Sequence, residues 1–190
     1  MAVHLSLLRH GVTELAGGFR GSLDDALTSE GWAQMRGAVG EGGSWDLIVS
    51  SPLQRCVAFA HELATQRDLP LVLEADLREL HFGAWEGQTA LALMAEHEAE
   101  LGQFWNDPYG FTPPDGEPVL AFSRRVLAAV QRLAERYAGQ RVLVVTHGGV
   151  IRLLLAQARG LPREQLLQVT VEHASLHGLN VQLPCVLSEA

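Results

Sequence analysis

The chain has 190 residues, 47% of them hydrophobic and 19% charged, which suits a single domain of roughly 100–200 residues with a sizeable core. No apolar run approaches the ~20 residues of a membrane helix, so no membrane association is expected. A net charge of −8 argues against nucleic-acid binding, where a basic field is expected.

From Met1 to Leu8 there is no basic flank and no small-residue cleavage site, so no signal peptide is expected. Val3 to Leu8 is apolar and stops at Arg9-His10-Gly11, which reads as a buried first strand. Thr28 to Val39 is predicted helical, with Thr28 or Ser29 as cap and Gly42-Gly43 as stop. Asp46 to Ser50 is a second strand, and Pro52 opens a helix running to about Gln66. Pro70 to Glu74 is a short third strand, and Thr89 to Trp105 is helical with apolar residues at mixed spacing. Asp107 to Glu117 holds three prolines and two glycines and is predicted to be a loop. Pro118 to Tyr137 is an amphipathic helix with Val119, Phe122, Val126, Ala129, Val130 and Leu133 on one face. Arg141 to Thr146 is a buried strand, Val150 to Ala158 a helix, and Leu176 to Leu183 a final strand.

Strands alternating with helices imply βαβ units. The expected fold class is therefore α/β, a three-layer αβα arrangement with a mostly parallel sheet and helices on both faces. No repeat or linker divides the chain, so one domain is expected over residues 1–184, with a C-terminal tail at 185–190. Cys56 and Cys185 are too few and too far apart for a disulfide framework or a structural zinc site. A cytoplasmic setting is the expectation.

Ligands of such sheets bind beyond the carboxyl ends of the strands. Strand one ends in Arg9-His10-Gly11. Strand two ends in Ser50-Ser51-Pro52, with Arg55 one turn into the next helix. The strand at 141–146 runs into His147-Gly148-Gly149. All 14 basic residues are arginine, so an anion site must be made from arginine, histidine and backbone N–H groups. Two histidines and two arginines on one rim of an acidic protein suit phosphoryl transfer through a covalent histidine. A neutral imidazole nitrogen can attack phosphorus, provided the other ring nitrogen holds the proton, as a backbone carbonyl acceptor would ensure. Arginines keep that imidazole neutral and meet phosphate oxygens with a planar fork. Gly11 and Gly148-Gly149 are expected to let the backbone approach the phosphate.

A proton donor must also reach the leaving group. The stretch Leu77 to Gly87 offers Glu79, Glu86 and His81. Glu79 is selected because it comes directly after the third strand; Glu86 is expected to be structural, and His81 stays open.

These residues resemble the histidine phosphatase superfamily, the phosphoglycerate-mutase-like proteins. LLRHGVTE resembles its signature strand, loop and nucleophile, and DDALTSEGWAQ resembles its D-x-P-L-T-x-x-G-x-x-Q segment. SSPLQRC, LRELHFGAWEG and VVTHGGVIR resemble its other blocks, in order across residues 3–182. The resemblance implies His10 as phosphorylated nucleophile, Arg9, Arg55 and His147 as the phosphate pocket, Glu79 as acid/base, and the Gly148 backbone as a phosphate contact. It implies no metal and no cofactor. His173 and His177, four apart, have no third ligand nearby, and zinc is not expected. Two positions depart from the family pattern. Val12 replaces the glutamate of R-H-G-E-T, and Ala16 stands where an asparagine is common, in a loop that looks shortened. A side-chain contact to phosphate is then lost, or supplied by Thr13 or Arg20.

The expected substrate is a small-molecule phosphomonoester. Family mutases carry a longer insertion between the acid/base and the second histidine, so a compact phosphatase is favoured. The tract FWNDPYGFTPPDGEPVLAFSRRV, with SSPLQRC, is similar to the α-ribazole-5′-phosphate phosphatases of cobalamin biosynthesis. Phe104, Trp105, Tyr109 and Phe111 either cover a substrate ring or pack the 104–117 segment itself, the second being favoured. The alternatives are a broad-specificity histidine phosphatase, a phosphoglycerate mutase, and a non-catalytic phosphoprotein-binding module on the same fold. Oligomeric state is not legible in the sequence.

Overall fold

A computed structural model describes residues 1–15, 17–183 and 186–189. The strands are β1 (Val3–Arg9), β2 (Leu47–Ser50), β3 (Leu71–Leu73), β4 (Arg141–Thr146), β5 (Leu176–Gln182) and β6 (Val186–Glu189). The helices are α1 (Ser29–Val39), α2 (Gln54–Arg67), α3 (Ala90–Asn106), α4 (Val119–Arg136) and α5 (Gly148–Ala158). Short 3₁₀ turns occupy Ala75–Leu77, Gly83–Trp85 and Arg163–Gln168.

The strands form one sheet in the order β3-β2-β4-β1-β5-β6. The pairs β3/β2, β2/β4 and β4/β1 are parallel, whereas β1/β5 and β5/β6 are antiparallel. Alternate strand residues face opposite layers, as the two-residue period of a strand requires. Leu5 and Leu7 of β1, Val49 of β2 and Val142 and Val144 of β4 join a core with α3, α4 and α5. Leu8, Ile48, Leu143 and Val145 join a second core with α1 and α2. The fold is thus the expected α/β class, with helices on both faces of a mostly parallel sheet.

Three local expectations are corrected, and a fourth, the helix at 89–105, is met with a kink. Helix α1 is capped by Thr28, whose hydroxyl accepts from Gly31 N, but it stops at Gly40, before the Gly42-Gly43 pair. Helix α3 is kinked at His97, whose backbone leaves helical values; this explains its mixed apolar spacing, because its two parts present different faces. Gly148 and Gly149, expected to precede a helix starting at Val150, form its first turn. Finally, most of the expected tail adds β6 to the sheet by pairing with β5. Its sequence, Val-Leu-Ser-Glu, has no alternation that would mark it. Among the described residues no helix is long and apolar enough to cross a membrane.

Candidate active site

The register of the parallel strands brings the candidate residues together. Arg9 of β1 is level with Thr146 of β4, and Ser50 of β2 with Val145. The residues that follow, His10, His147 and Ser51, therefore emerge side by side at one rim. The His10 and His147 rings lie 5.4 Å apart, edge to face.

His10 is buried, and its Nδ1 lies 2.9 Å from the Gly11 carbonyl oxygen. A carbonyl only accepts, so Nδ1 carries the hydrogen and Nε2 of the neutral ring carries the lone pair. Burial, followed by the guanidinium groups of Arg55 and Arg9, holds the pKa well below the imidazole range, although the Gly11 bond acts the other way. His147 is fully buried, and burial and Arg55 likewise keep it neutral. The Arg55 Nε–H donates to His147 Nδ1 at 3.2 Å, so the hydrogen of His147 is on Nε2, 2.8 Å from Ser51 Oγ.

Arg55 itself has no exposed surface. Burying a guanidinium is tolerated only when its donors are met. Here Nη1 donates to Leu23 O at 2.5 Å and Nη2 to Gly21 O at 2.9 Å, with Asp25 Oδ1 at 3.5 Å. Arg9 donates to Val171 O at 2.6 Å and to His173 Nε2 at 3.1 Å. Its Nε is buried with no hydrogen-bond partner among the described residues, the kind of orphaned donor that marks an anion site. Burial lowers its pKa, offset in part by Glu79; a guanidinium nonetheless keeps its charge. The same guanidinium packs on Gly148, with Nε 3.0 Å from where a β-carbon would stand.

Glu79 closes the far side. Its Oε2 accepts from Gly149 N at 2.8 Å, in the first turn of α5, and its Oε1 from Leu80 N at 2.9 Å. A carboxylate at a helix N-terminus meets the positive end of the dipole. Beside Glu79 and Gly149 opens a cavity of about 410 Å³, walled by Phe19, Phe82, Phe104 and Trp105, with Arg152 on its polar side.

The remaining candidates fall elsewhere. Glu86 accepts from Ser22 N, Ser22 Oγ, Leu23 N and Phe82 N, a set that ties two loops together. Burial raises its pKa, but these hydrogen bonds prevail and the net shift is downward. His81 is half exposed and accepts from Gly83 N. Arg20 is paired with Asp25 at 3.1 Å. The Thr13 hydroxyl is buried with no partner among the described residues. Ala16 and Cys185 lie outside the described residues. Gly11 packs closely on α1, where a β-carbon would fall 2.3 Å from Gly31 O. The aromatic residues divide. Phe104 and Trp105 face the cavity, whereas Phe111 stacks on Trp85 and Tyr109 sits against Arg163.

Several residues of the site were not recognisable as such from the sequence. Asp25 links Arg20 and Arg55, and Ser51 meets His147. His173 lies 5.9 Å from His10, ring to ring. Burial and Arg9 lower its pKa, so it is a neutral acceptor for Arg9. Arg152, the only charged residue of α5, was the most legible of these: an arginine inside an apolar helix one turn after Gly148-Gly149.

The model of the histidine phosphatase superfamily (branch 1) matches residues 5–183. The chain is 32% identical over 183 residues to the adenosylcobalamin/alpha-ribazole phosphatase of Escherichia coli (strain K12), covering 94% of this chain and 90% of that protein. It is 39% identical over 177 residues to a bifunctional protein of Mycobacterium tuberculosis, covering 90% of this chain and 48% of that one. The crystal structure of the alpha-ribazole phosphatase from Shigella flexneri superposes with a TM-score of 0.84 at 29% identity, over 98% of this chain and 94% of that chain.

Proposed function

The chain belongs to the histidine phosphatase superfamily (branch 1) and is a phosphoric monoester hydrolase, and from that premise we propose that it hydrolyses α-ribazole-5′-phosphate through a phosphohistidine at His10. The observation that carries the mechanism is the neutral, buried His10 with its hydrogen held on Nδ1 by Gly11 O. Its Nε2 lone pair attacks phosphorus, the N–P bond forms as the ester P–O bond breaks, and Glu79 gives a proton to the departing alkoxide. Water then attacks the phosphohistidine while Glu79 takes its proton, and phosphate leaves with His10 restored. Arg9, through the donor that lacks a partner, and Arg55 hold the phosphoryl oxygens, where positive charge counts most in the transition state. His147 offers its one donor, Nε2–H, which passes from Ser51 to a phosphoryl oxygen. The N–H of Gly148, leading α5, is a further donor. Thr13 and Arg20 are the two side chains we assign to the position left by Ala16. Arg20 also steadies Arg55 through Asp25.

The choice of substrate rests on the likeness to alpha-ribazole phosphatases. The aromatic cavity beside Glu79 supports it, since it suits an alcohol with an apolar ring better than a phosphoglycerate. A cytoplasmic setting is part of the same proposal, supported by the sparse cysteines, Cys56 and Cys185.

The test is a hydrolysis panel of α-ribazole phosphate, phosphoglycerates, nucleotides, sugar phosphates and 4-nitrophenyl phosphate. The expected result is the highest kcat/KM on α-ribazole phosphate. Equal turnover across the panel would favour a broad-specificity phosphatase, and exchange between positions 2 and 3 of phosphoglycerate a mutase. In His10→Ala all turnover is expected to vanish, and acid-labile, alkali-stable label should form on wild-type His10 alone. Unchanged turnover in that variant would end the proposal.

A further inference from the structure

The main chain around Glu79 is gripped from behind by a side chain of α4. Arg125, in the second turn of α4, is largely buried and uses all five of its N–H donors. Nε and Nη2 fork onto Glu117 Oε1 and Oε2 at 2.7 and 2.8 Å. Nη1 donates to the carbonyls of Asp76 and Arg78 at 2.7 and 2.8 Å, and Nη2 to the carbonyl of Glu79 itself at 2.9 Å. Glu117 in turn accepts from His81 N at 3.4 Å. The ion pair therefore grips the main chain on both sides of Glu79 and at Glu79, while the carboxylate is held at its other end by Gly149 N.

We propose that Arg125, oriented by Glu117, is a positioning residue for the proton donor, fixing the Glu79 main chain so that its carboxyl meets the leaving oxygen. The inference rests on the reading of Glu79 as acid. Three carbonyls converging on one guanidinium need a planar cation with donors in a fixed fork, which lysine does not supply. The grip matters because proton transfer works only within hydrogen-bond reach, and a displacement of about 1 Å can cost ~10²-fold.

The experiment compares kcat/KM for an alkyl phosphate and for 4-nitrophenyl phosphate. This constant reports steps up to phosphohistidine formation, and nitrophenolate leaves with little need of a proton. The variants are Arg125→Gln, Glu117→Gln, Glu79→Gln, the double variant Glu79→Gln/Arg125→Gln, and Arg132→Gln as control. Arg132 lies on the same helix and binds the side chains of Glu74 and Asp76 in the same loop, without touching Glu79. Arg125→Gln is expected to lose roughly 10- to 100-fold on the alkyl ester and far less on the aryl ester. Glu117→Gln should show the same pattern more weakly, Arg132→Gln should leave the ratio of the two constants unchanged, and the double variant should be no worse than Glu79→Gln. The ratio does not depend on how much protein is folded, so a destabilised variant still gives an answer. Equal losses on both substrates, or losses that add in the double variant, would overturn the proposal. If Glu79→Gln itself shows no leaving-group dependence, the reading of Glu79 fails, and with it the role of Arg125.

Discussion

A β-carbon at Gly149 would stand 2.2 Å from Glu79 Oε1 and 3.0 Å from its carboxyl carbon. The obstructed group is the free end of a side chain, so it can swing away while the backbone stays. In a helix, alanine is favoured over glycine by roughly 0.5–1 kcal/mol. Gly149→Ala is therefore expected to melt at or slightly above the wild-type temperature and to lose alkyl-phosphate turnover by about 10- to 100-fold through the displaced acid. A variant that melts normally and turns over normally would show that Glu79 is not needed where it stands. Glu86 predicts the opposite pattern. Four donors converge on its carboxylate, so Glu86→Gln should cost about 1–3 kcal/mol of stability, read in denaturant melts. The ratio between alkyl and aryl substrates should stay unchanged. The downward shift of its pKa means that its contribution is complete above the unfolded-state pKa and is lost as pH falls through the folded one.

Among the elements, α4 was the most legible: every residue placed on its apolar face from the sequence is buried. Leu133→Ala, near the end of that face, should cost about 2–5 kcal/mol as a cavity in the core, with the substrate ratio unaffected because Leu133 is two turns beyond Arg125. A loss under half a kilocalorie, as on a solvated surface, would contradict the packing of α4 on the sheet. Helix α3 was less legible. Leu91 and Met94 look like core residues in one dimension, yet they are 80% and 45% exposed. The kink at His97 breaks the single helical period that a pattern search assumes. The start of α5 was missed for another reason. Two glycines disfavour helix on propensity, but here they form the one turn against which Arg9 and Glu79 can both close.

At the scale of the whole molecule, an acidic chain gathers arginines and neutral histidines at one rim. His10 and His147 are held well below the imidazole range, chiefly by burial. In the unfolded chain both titrate near ~6.5. Below that pH the unfolded state takes up protons that the folded state refuses, so stability falls as pH falls, from about 6.5 down to the folded-state values. Each such histidine adds a slope of about 1.4 kcal/mol per pH unit, and the two together about twice that. Denaturant melts between pH 7.5 and 5.5 should show stability flat at the top of the range and declining below it, with a shallower decline in His147→Gln. Stability that stays level or rises on acidification would refute the buried neutral state of these rings.

The sequence by itself determined what is local. An apolar strand followed directly by Arg-His-Gly or His-Gly-Gly places those residues at a strand end whatever the rest of the chain does, so Arg9, His10 and His147 could be named before any contact was known, and Arg55 and Glu79 were read from the segments that follow the second and third strands. Their function as a family was legible in five short blocks for the same reason. Only the tertiary structure decided which distant groups complete them. His173 enters because β5 runs antiparallel beside β1, with Leu176 level with Leu8; the segment before β5 must then lie at the carboxyl end of β1. Arg9 thereby reaches a carbonyl 162 residues away. Ser51, Asp25, Arg152 and the grip of Arg125 on Glu79 likewise depend on strand order and helix docking. No sequence period records those, because they are set by which hydrophobic faces bury against each other.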